Sequence, residues 1–586
     1  MRLSAIDVIL VRHFLRRFLE NDLISPEADR LQLLAVVGAG LISATLFISA
    51  FLSFAYVTVP YTPGQLAVAA LNDRFFYIAL SMVVVGLVAV AQWDALVVDA
   101  RDAAILEPLP ITAAVVRRAK LAAVAILGAA VALAVNLVPT VVFPWLLVYS
   151  TRIRVVEMGA LMATHLLVTL GAGACAYLAV IALRETLATV LPARVFARVS
   201  PWVQGTLIVL LGTALLLVPP ASTRVAARGF DAARAALPPA WFLGVYETAA
   251  GDILAEATRG RMTPRQQRSD AITTALYAER RADFPVLARR AALALGTVIF
   301  IVAAAYAWNA RRFTALAPPQ APASRRRWRL GTALAKTFVV RDAAARAGFF
   351  FALAAMWRSG VHRLTLACAA AAGVAMSLIA LSGVTLEDAV RLATPPARLL
   401  MVQPLLYGVL LVGFRHAVRV PAELRANWGF QLAWHEHDRR FLAGARRAAL
   451  VSLVVPVLIL TLPLFAYVMG PPLALAHALL GLAGAIVLLE VLLVSYDKVP
   501  FTCTYLPTES MKALAPLYVV MFLVGASSFA GMQGAALRDV TAAVRLLLVL
   551  GVVYAASRII STRSRRPVLT DFNEAPATFQ RLGLHT

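Results

Sequence analysis

Few residues of this chain have the types and spacing that do chemistry, and those few sit in polar islands between long apolar runs. His435, Glu436 and His437 bring two imidazoles and a carboxylate together. Two histidines at i and i+2 do not share a helix face, however, and neither an HExxH nor a second ligand cluster accompanies them. The spacing therefore reads as a charged surface segment, with no metal expected. No GxxxxGK[ST] occurs, so no loop of this chain is expected to cradle the phosphates of ATP. Serine and aspartate are too dispersed for a nucleophile triad. Cys175, Cys368 and Cys503 form no pair with metal or redox spacing. No catalytic residue is expected, and the chain does not read as an enzyme.

Ionisable groups inside apolar runs are rare. His165 and Glu490 are the clearest. Such groups are costly in a bilayer and mark polar paths or proton sites. Glu490 lies close enough to the end of its run to pair with an arginine instead.

The elements that carry these residues follow from composition. Hydrophobic residues make up 61% of the 586 and charged residues 15%, with a mean hydropathy of +0.79. Soluble domains carry roughly 25% charged residues, so most of this chain does not face water. Its apolar runs are continuous and reach the ~20 residues that span a bilayer as a helix. Twelve spans are expected, near 33–58, 76–98, 121–149, 156–182, 203–219, 291–309, 364–382, 398–414, 448–469, 472–495, 513–531 and 540–557. Pro139 and Pro144 predict a kink or break late in the third. A polar link with Arg184, Glu185, Arg194 and Arg198 is expected between the fourth and fifth.

The fold class is thus an all-α polytopic membrane protein. It reads as two six-helix pseudo-repeats, each preceded by an amphipathic interfacial helix, at residues 4–20 and 341–363. The expected divisions are 1–309 as the first half, with an outer insertion at 221–290; 310–340, rich in Pro, Ala and Arg, as a cytoplasmic linker; 341–560 as the second half; and 561–586 as a cytoplasmic tail. The net charge is +24, from 55 basic and 31 acidic residues. Most arginines flank apolar runs, which points to positive-inside topology and anionic lipid headgroups, not nucleic acid. Both termini are expected in the cytoplasm of a multi-pass bacterial inner-membrane protein. Arg74 falls in a short outer loop on this reading, and Trp241 and Phe242 fall at the outer interface.

The island at 99–120, DARDAAILEPLPITAAVVRRAK, carries both signs of charge, a Leu-Pro-Leu-Pro bend and a basic cluster where the next run begins. Asp102, Leu106, Pro108, Leu109, Pro110, Ile111 and Lys120 resemble the D…L…LPI…K signature that follows span 2 in permeases of type-2 ATP-binding-cassette (ABC) exporters. The order of elements resembles that family across the whole chain, with both six-span permease halves fused. Leu237–Phe242 and Pro500–Pro507 resemble further motifs of fused bacterial members. The resemblance implies an exporter permease whose ATP and Mg²⁺ are bound by a separate ABC ATPase. Contacts with that ATPase would fall on Asp102, Glu107, Pro108, Leu109, Pro110, Ile111, Arg117 and Arg118. In the second half, which lacks an LPI motif, they would fall on His435, Glu436, Asp438 and Phe441. With so few buried charges, an amphipathic or lipid-like cargo is the natural expectation. A secondary transporter and a non-catalytic scaffold subunit are the competing readings.

Overall fold

The computed structural model describes residues 5–19, 30–58, 63–93, 105–150, 155–228, 236–257, 271, 281–312, 340–381, 396–422, 438–494, 496, 499–502 and 515–563. The described residues are helices joined by short turns. Contacts divide the chain into two units, Met1–Ser324 and Arg325–Thr586, and the division falls inside the 310–340 stretch.

Unit 1 contains α1 (Ala5–Leu19), α2 (Arg30–Thr58), α3 (Pro63–Ala91), α4 (Ala113–Ser150), α5 (Val155–Val190), α6 (Ala193–Arg228), α7 (Pro238–Ala257) and α8 (Phe284–Arg312). Unit 2 contains α9 (Ala343–Arg358), α10 (Gly360–Ala380), α11 (Ala397–Leu400), α12 (Val402–Ala417) and α13 (Asp438–Ala449). A π turn at Leu450–Val454 joins α13 to α14 (Val455–Met469), and α15 (Pro471–Leu492), α16 (Ala515–Ala536) and α17 (Val540–Arg563) follow. Eleven of the described helical stretches are long and apolar enough to cross a membrane. They coincide with eleven of the twelve expected spans, and α2 occupies the position of the remaining one. Large apolar side chains such as Phe47, Phe51, Leu460 and Leu548 stand exposed on the outside of these helices, as lipid-facing residues do.

The helices outrun the apolar runs. α3 begins at Pro63, thirteen residues before the expected span, so Arg74 lies in a helix and is buried, not in an outer loop. α4 runs unbroken through Pro139 and Pro144; the expected break does not occur. α5 continues to Val190 and α6 starts at Ala193, so the expected polar link is almost wholly helical. The reason is local pairing. Arg184 is buried, donates from Nε to the Trp93 carbonyl at 2.8 Å, pairs with Glu185 and lies 5.8 Å from the Phe196 ring centroid.

The two units repeat a packing scheme. In unit 1, α1 packs on α4, α3 on α4, α5 and α6, and α5 on α4 and α8. In unit 2 the corresponding contacts are α9 on α13, α12 on α14, α15 and α16, and α15 on α14 and α17. The first span differs: α2 leans on α4, whereas α10 leans on α12. The units also differ before the last span. Unit 1 inserts α7, packed on α3, α5 and α8. In unit 2 only Leu537–Asp539 separate α16 from α17.

Candidate functional site

The polar island of unit 1 is a turn fastened to two helices. Leu109 N–H donates to the Leu106 carbonyl at 3.2 Å and Ile111 N–H to the Leu109 carbonyl at 2.7 Å. The Leu-Pro-Leu-Pro step is therefore closed on itself. Leu106 is buried with Leu10 and Phe14 of α1 and Val116, Ala119 and Ala123 of α4, while Ile111 packs partly against the same cluster. Glu107, Pro108, Leu109 and Pro110 are exposed, Leu109 by 45%. Arg118 donates to Asp7 at 2.8 Å, with Asp7 almost wholly buried, so this expected partner contact is engaged within the chain. Lys120 is buried, 5.2 Å from the Phe14 ring centroid, and Arg117 is half-buried. The helix α1 thus turns Asp7, Leu10 and Phe14 toward α4 and leaves Val8 exposed. Between α1 and the turn runs an open apolar groove of about 360 Å³, lined by Ile6, Ile9, Leu10, His13, Ile105 and Leu109 among others. Asp102 lies outside the described residues.

The corresponding place in unit 2 is built more tightly. A methyl group on Gly348 of α9 would run into the Phe441 carbonyl, and one on Gly444 of α13 into the Ala345 carbonyl. The two glycines therefore set a backbone-to-backbone crossing. Asp342 caps α9, accepting from Ala345 N–H at 3.0 Å, and accepts from Arg440 at 3.2 Å. These contacts hold its carboxyl below the usual carboxylate value. An aspartate at the start of the amphipathic helix pairs with an arginine at the start of the third span in both halves. Phe441, expected at the contact surface, is 7% exposed, 5.9 Å from the Phe351 ring. It is excluded from that surface because its carbonyl and ring lie against α9. Asp438 opens α13; His435 and Glu436 lie outside the described residues.

At the same end of unit 2, Phe501 of the Pro-Phe-Thr-Cys motif is buried with φ of 65°, a backbone state uncommon for a bulky residue. It is held there from both sides: its N–H donates to the Val418 carbonyl at 2.9 Å, and its own carbonyl accepts from Ala422 N–H at 2.8 Å. The His362 ring lies 5.1 Å from it.

Among the intramembrane candidates, Glu490 forms an ion pair with Arg446 of α13 at 3.2 Å and lies 3.8 Å from Arg558 of α17. It ties three helices together. His165 of α5 is 0% exposed and ringed by Tyr77, Phe143 and Tyr246 at centroid distances of 5.4, 5.5 and 5.8 Å. Beside it is a feature that sequence reading missed. Arg74 of α3 forms a buried ion pair with Glu247 of α7 and stacks 4.6 Å over Tyr246. Phe242, expected at the outer interface, is buried in this cluster, and Trp241 packs partly against it. α7 is thereby a core element, pressed so close to α8 that a Cβ on Gly244 would lie 2.5 Å from that of Leu287. The missed signal was an arginine and a glutamate 173 positions apart, each at the edge of an apolar run.

Below this cluster Asn136 Nδ2 donates to Ser81 Oγ at 2.9 Å, and Ser81 donates to the Thr169 carbonyl at 2.8 Å. Three spans are cross-linked by uncharged groups. Comparison with family models, curated proteins and solved structures finds no match to this chain.

Proposed function

We propose that this chain is the transmembrane permease of an ATP-driven ABC exporter, two six-span halves in one polypeptide, moving an amphipathic or lipid-like cargo. ATP and Mg²⁺ are taken to reside on a separate ABC ATPase subunit. The observation that carries the reading is the Ile105–Ile111 turn: its polar and apolar tip is exposed while its base is locked to α1 and α4. A push on such a tip moves two helices as one body, which is the rigid-body coupling an external motor requires. In the second half, α9 and α13 form an equally fixed pair, but with Phe441 withdrawn its contact would rest on charged residues. An asymmetric coupling follows. Membrane lipids are the other expected partners, and the bacterial inner membrane the expected location, with both termini cytoplasmic.

The reading is tested by purifying the tagged chain in mild detergent and identifying what accompanies it. A stoichiometric subunit with a Walker motif and ATP hydrolysis is expected. A second reading, a secondary transporter, draws support from the Arg74–Glu247 pair and His165, buried ionisable groups of the kind such carriers use. Under that reading the chain is complete without an ATPase, and transport in vesicles follows an ion gradient.

A further inference from the structure

Unit 2 buries polar side chains that its other described residues do not satisfy. Gln403 of α12, His477 of α15 and Gln533 of α16 are each 0% exposed, and Thr461 of α14 is nearly so. Gln403 Nε2 donates to Thr461 Oγ1 at 3.2 Å, and that hydroxyl donates to the Val457 carbonyl at 2.9 Å. Gln403 Oε1, both ring nitrogens of His477 and both amide atoms of Gln533 have no hydrogen-bond partner among the described residues. Buried polar atoms are almost always satisfied by protein or by a bound molecule, and in a bilayer water cannot reach them from the side.

These side chains share one place. Gln403 Oε1 lies against Gly481, 2.7 Å from where its Cβ would stand, and Gly481 is one helical turn from His477. The His477 ring lies 4.5 Å from the Phe465 ring, and Phe465 is one turn from Thr461. Ala530 of α16 is buried in one cluster with Phe465, Ala474 and Leu400, and Leu537 packs against it; Gln533 lies between these two on the same helix face, one turn from each. Thr461 and His477 lie nine and seven positions from Gly470, which separates α14 from α15; Gln533 lies six positions before Asp539, and Gln403 seven after Pro396, which precedes the α11–α12 stretch. At 1.5 Å per residue that is a common depth of roughly 9 to 14 Å.

In unit 1 Asn136 donates to Ser81 and Ser81 to the Thr169 carbonyl, while His165, one turn from Thr169, is as buried as His477 and likewise has no hydrogen-bond partner for either ring nitrogen among the described residues. Among the described residues unit 2 adds to such a histidine the unpartnered amide atoms of Gln403 and Gln533. We propose that Gln403, Thr461, His477 and Gln533 form a buried site for a neutral hydroxyl group. The open atoms include both donors and acceptors, which a hydroxyl matches because it donates once and accepts twice. A charged ligand would be costly at this depth. Bound water and the hydroxyls of an uncharged amphiphile share this chemistry.

The test is thermal unfolding of the full chain in detergent with Gln533→Met, which keeps volume and removes both amide atoms. If the site is filled, the variant loses hydrogen bonds and Tm falls by a few degrees. If it is empty, removing an unsatisfied amide leaves Tm unchanged or raises it, and the proposal is overturned. Should the variant not fold, radiolytic labelling of the wild-type protein in ¹⁸O-water decides. Modification of the fully buried Phe465 above that of the equally buried Phe414 supports a filled site, and equal protection of both refutes it. Monoolein in the micelle separates the sources. A monoolein-dependent rise in wild-type Tm, absent in Gln533→Met, assigns the site to an amphiphile; labelling of Phe465 that monoolein does not change assigns it to water.

Discussion

Arg74 and Glu247 are both withdrawn from solvent, so neither can be removed alone without leaving an uncompensated charge in the core. Glu247→Ala is expected to cost about 3–5 kcal/mol, whereas the double change Arg74→Met with Glu247→Met is expected to cost far less. Thermal unfolding of the two variants in detergent measures the difference; equal losses would mean that the pair is not what fastens α7. Glu490 behaves differently. Because Arg446 is its nearer partner and Arg558 lies farther off, Arg446→Met is expected to destabilise more than Arg558→Met in the same assay. Neither cluster was legible in the sequence beyond the presence of His165 and Glu490 in apolar runs. Hydropathy reports that a charged residue is near a span, but not which distant residue meets it, and Arg74 read as a loop residue because Asn72, Asp73 and Arg74 stand together just before the apolar run at 76.

Among the helices, α1 and α9 show how an amphipathic pattern becomes a fixed mechanical part. Asp7→Asn removes the charge that meets Arg118; the arginine is half exposed, so roughly 1 kcal/mol is expected. Amide exchange across Ala5–Leu19 should then quicken about fivefold while α4 stays protected. Gly444→Ala forces a methyl group against the α9 backbone and is expected to cost about 1–3 kcal/mol or more, read as lost protection of both α9 and α13. The Asp342 cap has a pH signature. Its carboxyl is held below its ordinary value of 3.8, first by Ala345 N–H and then by Arg440. Its stabilisation of α9 is therefore complete above that value and is lost as pH falls through the depressed one. Exchange at the start of α9 should quicken on acidification, and Asp342→Asn, which still caps, should flatten that dependence. The amphipathic helices were visible as periodicity. Their partners were not, because Gly348 and Gly444 signal a close approach only once both backbones are in view.

The whole molecule divides where hydropathy changes character, and the expected spans coincide with helices because an apolar run of bilayer length has no other way to satisfy its backbone. Helix ends were less legible. Buried pairing carries α5 through Arg184 and Glu185, which a hydropathy window treats as a break. The internal repeat had no residue-level trace and emerges instead as recurring helix contacts. Against that repeat, the two halves diverge where function is proposed: an exposed Leu109 tip in one, a withdrawn Phe441 in the other. The most direct measurement is co-purification of the tagged chain with its partners, wild type beside Leu109→Asp, with ATP hydrolysis assayed in each. Because Leu109 is exposed, the variant should fold and keep its thermal stability. The account expects a Walker-motif ATPase bound to the wild type and released, with loss of hydrolysis, from Leu109→Asp. A wild-type preparation without any ATPase, or one whose ATPase is held as firmly by Leu109→Asp, would contradict it.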